Sequence, residues 1–255
     1  MIFTGQFIPE CWMTSGTSKK YRDYRDFRNG LDKELGIPHL VVFDVCNTLY
    51  YSNTTLDYIE FFLKKNKIYL KLFLFYFINN KSSPFFWIFF VVEKFFAKNL
   101  IRNLSIGLLR RIPKKQIYDF GKRFVKEFLP AKTIPQVHDM LHQAIWAKAE
   151  VRLISDSLDP VINPLAKNFG LDYMAGEMEF RDEFFTGRLK PFVDKLTTID
   201  KMRRAINYKR LTAISDNKSD RQLLETADVG YAIIHKKRDR IFWQHSTELN
   251  QICLR

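Results

Sequence analysis

The stretch HLVVFDVCNTL, from His39 to Leu49, decides the fold of this chain. Its apolar run Leu40–Phe43 is typical of a buried strand, and it delivers one carboxylate, Asp44, at the end of that strand. A small polar turn follows, with Thr48 four residues after the acid. A strand that stops on an aspartate holds a nucleophile or a metal ligand rigidly at a sheet edge, so Asp44 is the first candidate site residue.

Later segments repeat the pattern of an apolar strand followed by polar side chains. Strands are predicted over 151–155, ending on Ser155, over 210–215, just before Asp216, and over 230–234. Asp156 to Pro160 is predicted to begin a helix that ends near Gly170, a β-hairpin to follow up to Gly187, and Lys195 to lie near the start of another helix. Strands that alternate with helices predict a parallel α/β sheet with a site at the carboxyl ends of its strands.

The first and second strands are separated by roughly 100 residues, which is too long for a simple crossover. We therefore predict an inserted helical cap at residues 52–130. The α/β core is assigned to residues 39–51 and 131–255, and residues 1–38 are assigned to an N-terminal arm.

Aromatic residues concentrate in two apolar runs of this insertion, Ile68–Ile78 and Phe85–Val92, joined by a polar turn. Each run is well short of the ~20 residues that span a bilayer, so the pattern predicts a helical hairpin. Basic residues flank both sides. Two arrangements are open: residues 68–97 contact an anionic membrane surface, or the aromatic side chains pack internally.

Composition narrows the classes of function. The chain has 255 residues, 46% of them hydrophobic, so it can bury a sizeable core, and its formal net charge of +13 favours an anionic partner. No nucleic-acid motif is visible, so a phosphorylated small molecule or a lipid headgroup is favoured over nucleic acid as the anionic partner. A basic amino-acid composition that serves no particular partner also explains the charge. Three widely spaced cysteines and no visible secretory signal predict a cytoplasmic location. If residues 68–97 contact a membrane, the protein is expected to attach peripherally to its inner face.

Polar residues from these segments are expected to converge at one edge of the sheet. Two carboxylates from separate strands suit Mg²⁺, which prefers oxygen ligands. A hydroxyl and a lysine ammonium can hold the oxygens of a transferring phosphoryl group, and the Asp44 carboxylate can attack phosphorus. The residues of this constellation are Asp44 with Thr48, Ser155, Lys195, and Asp216 with Asp220.

In these residues the chain resembles the haloacid dehalogenase (HAD) superfamily. Its first motif is similar to residues 43–49, the second to 153–157, the third to Lys195 and the fourth to 214–220. The stretch 154–187 looks most like the phosphoserine-phosphatase-like branch with a helical cap, and more weakly the chain is similar to the bacterial phosphatidylglycerophosphatase type.

The resemblance implies a Rossmann-like core of the HAD type, a cap over the site, Mg²⁺, and a phosphohydrolase that works through an aspartyl-phosphate. The apolar hairpin and the positive charge favour a lipid-linked or membrane-proximal phosphate monoester as its substrate. The resemblance also implies that Asp44 is the nucleophile and a metal ligand, and that Cys46 binds the metal through its backbone carbonyl and occupies the catalytic acid/base position. The remaining implied residues are Asn47, Thr48, Ser155, Asp156 and Lys195 for the phosphate, and Asp216 and Asp220 for the metal.

Cys46 departs from the family pattern, because phosphatases of this superfamily usually have an aspartate two residues after the nucleophile. A thiol with a pKa near 8.5 is a poorer acid and base for that cycle at neutral pH. Two alternatives therefore stay open: a HAD-like transferase or non-phosphate hydrolase, and a catalytically impaired HAD fold that serves as a binding or regulatory protein.

Two further groups are not assigned to the site. His138 and His142 have the i, i+4 spacing of metal ligands but no companion motif, so they are interpreted as core or solvated histidines. The basic segment from His235 to Arg240 is interpreted as a solvated loop.

Overall fold

The computed structural model describes residues 27, 38–95, 99–191, 194–246 and 248–254, without the side chains of residues 94, 204 and 206. The predicted N-terminal arm lies outside the described residues, apart from its positions 27 and 38. Phe27 is buried, and its ring meets that of Tyr231 edge-on at a centroid distance of 5.5 Å.

A six-stranded parallel sheet forms the centre of the fold, which confirms the predicted α/β class. The strand order is β3-β2-β1-β6-β7-β8, so β1 lies between β2 and β6. A separate antiparallel hairpin, β4–β5, is the hairpin expected before Gly187. The strands are β1 His39–Phe43, β2 Glu150–Leu158, β3 Asp172–Gly176, β4 Met178–Arg181, β5 Phe184–Leu189, β6 Arg210–Ser215, β7 Val229–Ile234 and β8 Asn250–Cys253.

Both faces of the sheet are covered, which explains the continuous apolar run in β1. Leu40 and Val42 pack into one hydrophobic cluster, whereas Val41 and Phe43 pack into the other. All four side chains are at most 2% exposed. The helices are α1 Thr54–Lys65, α2 Tyr69–Asn79, α3 Pro84–Phe95, α4 Leu100–Gly107, α5 Lys114–Glu127, α6 Pro135–Trp146, α7 Asp159–Phe169, α8 Lys195–Ile206, α9 Arg221–Thr226 and α10 Lys237–Trp243.

The prediction that a helix begins at Asp156 is wrong. Strand β2 continues to Leu158, where it pairs with Gly176 of β3, and the helix begins at Asp159 with Pro160 in its first turn. Proline is well suited to this position because the first backbone N–H groups of a helix have no partner within it. Strand β8 was not predicted, because its four residues lack a continuous apolar run.

In the described residues six α-helices, α1 to α6, lie between β1 and β2, as the length of this segment predicted, and the first five of them fall within residues 52–130. Helices α2 and α3 form the expected helical hairpin, and many of its apolar side chains are exposed. Helix α5 packs closely on α7 of the core. The division into arm, core and cap stays a prediction. Within the described residues, no helix is both long and apolar enough to cross a membrane.

The contact between α5 and α7 depends on a glycine. A Cβ atom on Gly121 would lie 1.9 Å from the backbone oxygen of Pro160, so the two helices would have to move apart. Overpacking of this kind costs about 1–3 kcal/mol or more, and the better helix propensity of alanine returns only about 1 kcal/mol. We expect Gly121→Ala to lower the free energy of unfolding by about 2 kcal/mol in urea titrations.

Gly107 supplies the matched control, because a Cβ there would meet no atom within 4 Å. Gly107→Ala is expected to leave stability unchanged or to raise it slightly. Equal stability of the wild-type and Gly121→Ala proteins would show that α5 is not held against α7 in this way.

Candidate active site

A buried lysine joins two carboxylates at the carboxyl end of the central strands. Lys195, the first residue of α8, places its Nζ 2.9 Å from Oδ1 of Asp44 and 2.7 Å from Oδ2 of Asp220. The side chains of all three are at most 7% exposed. Burial by itself lowers the pKa of Lys195, but the facing charges of Asp44 and Asp220 raise it above its ordinary value, so the ammonium stays charged. Ser215 also donates to Oδ2 of Asp220 at 2.7 Å.

Thr48 links the ends of β1 and β6. Its hydroxyl lies 3.5 Å from Oδ2 of Asp44 and 3.2 Å from Oδ1 of Asp216, and it accepts a hydrogen bond from the backbone N–H of Asp216 at 3.0 Å. The backbone N–H of Asp44 donates to the carbonyl oxygen of Ile214, which continues the parallel ladder to this point. The structure therefore brings together Asp44, Thr48, Lys195, Asp216 and Asp220, as the sequence predicted.

The carboxylates of Asp44 and Asp216 suit a hard divalent cation. Burial raises the pKa of Asp44 to about 6, even though Lys195 opposes the shift. Burial and then the charge of Asp44 raise the pKa of Asp216 to about 7. Three carboxylates, those of Asp44, Asp216 and Asp220, lie around a single ammonium, so a cation can bind here, and carboxylate oxygens are the ligands that Mg²⁺ prefers.

The other predicted metal ligands have different surroundings. The described residues contain no cluster of three or more His, Cys, Asp or Glu side chains suited to a metal, so a complete shell needs main-chain oxygens or water as well. Asp220 directs one oxygen at both Lys195 and Ser215, which makes it a support for the lysine. Its predicted place in the metal shell stays a prediction.

The predicted phosphate-binding residues differ in exposure. Ser155 is fully buried next to the end of β1, and its hydroxyl accepts a hydrogen bond from the backbone N–H of Ser157 at 3.2 Å. The side chains of Asp156 and Asn47 are exposed, and Asn47 has a positive φ of 50° in the turn after β1. The phosphate contacts proposed for these residues stay predictions.

The Cys46 thiol is held by hydroxyl groups. Its Sγ lies 2.7 Å from Oγ1 of Thr54, and that hydroxyl donates to Oγ of Ser157 at 2.7 Å. A hydroxyl has one hydrogen, so the thiol acts as the donor to Thr54. Burial and the nearby charge of Asp44 raise the pKa of Cys46 to about 11, which keeps the thiol protonated at neutral pH.

Two cationic or titratable residues near the site were not predicted. The segment 235–240 is not a solvated loop, because His235 places Nε2 2.5 Å from the carbonyl oxygen of Asn47 and 3.8 Å from Oδ2 of Asp216, and Lys237 begins α10. The signal for His235 was its position directly after β7, a parallel strand beside β6. Arg102 of α4 donates to the carbonyl oxygen of Asp156, and the sequence showed it only as one of many basic residues.

The two histidines set aside on α6 lie away from these groups. His138 packs its ring against Tyr50 and Phe169, and burial lowers its pKa to about 4. The side chain of His142 is exposed.

The sequence model of the haloacid dehalogenase-like hydrolases matches residues 41–225, which is more than half of the chain. The chain belongs to this family. The match begins in β1 and ends in α9, so it includes every predicted HAD motif. No curated protein matches the sequence.

Solved structures show the same fold at low sequence identity. A Bordetella pertussis Tohama I protein of unknown function is 16% identical, with a TM-score of 0.65, over 85% of this chain and 98% of that one. A HAD family hydrolase from Salmonella enterica serovar Typhi is 18% identical, with a TM-score of 0.59, over 90% and 75%. A probable phosphoserine phosphatase from Vibrio cholerae is 14% identical, with a TM-score of 0.59, over 82% and 60%. These likenesses confirm the fold.

Proposed function

We propose that this HAD-family hydrolase is a Mg²⁺-dependent phosphohydrolase that works through an aspartyl-phosphate on Asp44, with a lipid-linked or membrane-proximal phosphate monoester as its substrate. The observation that carries the proposal is the set of contacts around Asp44. Lys195 binds one carboxylate oxygen at 2.9 Å, and the other lies 3.5 Å from the hydroxyl of Thr48, which also contacts Asp216.

Asp44 suits the role of nucleophile. Its pKa of about 6 leaves the carboxylate mostly ionised at neutral pH. Its oxygen would form the new bond to phosphorus while the bond to the alcohol oxygen breaks and the alcohol takes up a proton. Water would then attack the same phosphorus, which releases phosphate and restores the carboxylate.

Lys195 and Arg102 can bind the phosphoryl oxygens. An ammonium has three N–H donors, and Asp44 and Asp220 occupy two of them, so the third is free to bind a phosphoryl oxygen. The half-buried guanidinium of Arg102 lies on the helical side of the site, beside Asp156. When bound by Asp44, Asp216 and main-chain oxygens, Mg²⁺ would neutralise charge on the phosphoryl group.

The direct test is phosphate release from a panel of monoesters that includes phosphatidylglycerophosphate, sugar phosphates and phosphoserine. We expect release that requires Mg²⁺ and stops in EDTA, together with a phosphoprotein that hydroxylamine cleaves, as it does acyl phosphates. Neither release nor a phosphoprotein with any substrate would contradict the proposal.

The surroundings of Cys46 favour a second candidate, a phosphotransferase with a long-lived aspartyl-phosphate. Its thiol donates to Thr54, and its raised pKa makes it slow to exchange protons with a leaving group or with water at neutral pH. An alcohol acceptor could then compete with water for the phosphoryl group.

Cys46→Asp is expected to separate the two candidates. The hydroxyl groups of Thr54 and Ser157 can accommodate a carboxylate, and general acid–base catalysis contributes about 10²–10⁴-fold. We expect faster hydrolysis of the phosphoprotein in single-turnover assays, whereas Cys46→Asn gives no gain. Fast native turnover that Cys46→Asp does not improve would show that another group transfers the proton, and would exclude the slow phosphotransferase.

A further inference from the structure

The hairpin of α2 and α3 exposes most of its apolar side chains. Of the sixteen large apolar side chains that are exposed in the described residues, eleven lie on this hairpin. On α2, Leu70 is 74% exposed and Phe73 is 64% exposed. Not one of the described side chains of α3 is buried. Soluble monomers rarely expose a continuous apolar surface this large, so a partner is expected to cover it.

The charge around this surface is mainly positive. Residues 61–92 include no aspartate or glutamate. The flanking carboxylates are engaged, because Glu60 pairs with Lys64 and accepts from Tyr76, and Glu93 of α3 accepts from the backbone N–H of Ile101. The lysines of the segment are Lys64, Lys65, Lys67, Lys71 and Lys81.

An arginine-lined cleft adjoins the hairpin. Helix α4 packs against α2 and α3 on one side and against β5 on the other. Between α4 and the β4–β5 hairpin lies a cleft of about 990 Å³, which also contains the carboxylates of Glu179 and Asp182. Lys71 of α2 donates to the backbone oxygen of Arg110 at 3.3 Å, which connects the hairpin to the cleft. The arginines of the cleft are Arg110, Arg111, Arg181 and Arg188.

We propose that the α2–α3 hairpin and the adjoining arginine cleft form a docking surface for the anionic face of a lipid bilayer. The apolar hairpin would enter the interface between headgroups and acyl chains, and the arginine side chains would bind lipid phosphates. Protein segments that bind at a membrane–water interface typically combine tryptophan, tyrosine and phenylalanine with lysine. This inference extends the proposed function but stands on separate residues.

The charge argues against a second copy of the chain as the occupant. A symmetric dimer through this face would bring two lysine-rich hairpins together, each on a protein of net charge +13. Binding to an anionic bilayer instead becomes more favourable by about 1 kcal/mol, or about fivefold, for each basic residue near the membrane surface.

Co-sedimentation of the full chain with vesicles tests the apolar part. We expect binding to vesicles of equal parts phosphatidylglycerol and phosphatidylcholine. The double variant Trp87→Ser/Ile88→Ser should bind at least about tenfold more weakly, because both side chains lose apolar burial in the membrane. The matched control is Trp146→Ser/Ile241→Ser, which removes the same two residue types from exposed positions on α6 and α10 and should bind as the wild type does.

A charge pair tests the cleft. Arg181→Gln/Arg188→Gln should weaken binding to the anionic vesicles about thirtyfold, whereas Lys201→Gln/Arg238→Gln removes the same charge elsewhere and should change it far less. Binding should also fall at high salt and on pure phosphatidylcholine. Thermal melting shows that each variant is folded.

Two binding results would overturn the proposal: no binding of the wild type to anionic vesicles, or equal binding of Trp87→Ser/Ile88→Ser and its control. A third would be a dimer in sedimentation equilibrium that Trp87→Ser/Ile88→Ser dissociates, in a protein that does not bind vesicles. Asp44→Asn should bind vesicles normally, because Asp44 is buried in the sheet. Failure of vesicle binding is therefore distinguishable from failure of the proposed reaction.

Discussion

Asp44→Asn abolishes phosphate release, with an expected loss on the order of 10⁴-fold or more in kcat. An amide nitrogen carries no charge to attack phosphorus, and the amide oxygen is a weak nucleophile, so no aspartyl-phosphate forms. The substitution keeps the shape of the side chain, and Lys195 retains Asp220 as a partner, so the protein should stay folded. Stopped assays with radiolabelled substrate should detect neither phosphate nor phosphoprotein.

A partly buried acid outside the site provides the control for this variant. Asp57 of α1 accepts a hydrogen bond from Ser52 at 2.6 Å and lies outside the proposed phosphate contacts. Asp57→Asn should retain activity within severalfold of the wild type. Unchanged hydrolysis by Asp44→Asn would remove Asp44 from the reaction, and with it the proposed mechanism.

Lys195→Met is expected to affect stability and activity together. Removing one partner from a buried ion pair costs about 3–5 kcal/mol, because the carboxylates of Asp44 and Asp220 would be left without their cation. Activity should fall by about 10²–10³-fold beyond the unfolded fraction, since a fixed positive charge next to the phosphoryl group is lost. Urea titration gives the first quantity and initial rates at low temperature give the second.

Lys201→Met, on the same helix, is the control that distinguishes loss of the buried ion pairs of Lys195 from a general effect of replacing a lysine on α8. Its side chain is exposed, so its replacement should change stability by less than about 0.5 kcal/mol. If Lys195→Met unfolds entirely, Lys195→Arg keeps the charge and should fold with impaired activity. A fully stable Lys195→Met protein would show that the two carboxylates do not need the ammonium.

The strands that carry the site were predictable because their sequences are locally simple. Residues 40–43 form an unbroken apolar run of the kind that a parallel sheet covered on both faces requires, and Leu211, Ala213 and Ile214 supply the apolar positions of β6. The acids Asp44 and Asp216 follow these strands directly. Their proximity then follows from the rule that parallel strands end at a common edge.

Other features were not predictable because tertiary contacts determine them. Nothing local indicates that Ser157 and Leu158 continue β2 rather than begin α7, since pairing with Gly176 decides it. Arg102 contacts Asp156 because of the way α4 packs, and the sequence alone does not distinguish Arg102 from the other basic residues of its segment. The exposure of the aromatic hairpin also depended on the structure, because its apolar sequence suited a buried hairpin equally well.

The central place of β1 also bears on how the protein is made. Lys195, the partner of Asp44, is synthesised 151 residues after it, and Asp216 is synthesised 168 residues after its partner Thr48. Contacts between residues this far apart form slowly, because the loop must close before any pairing stabilises it. Until β6 is synthesised, one edge of β1 stays without its strand, and such edges promote aggregation. A nascent chain stalled before Ser215 would therefore carry the proposed nucleophile without an active site, and it would be a substrate for chaperones.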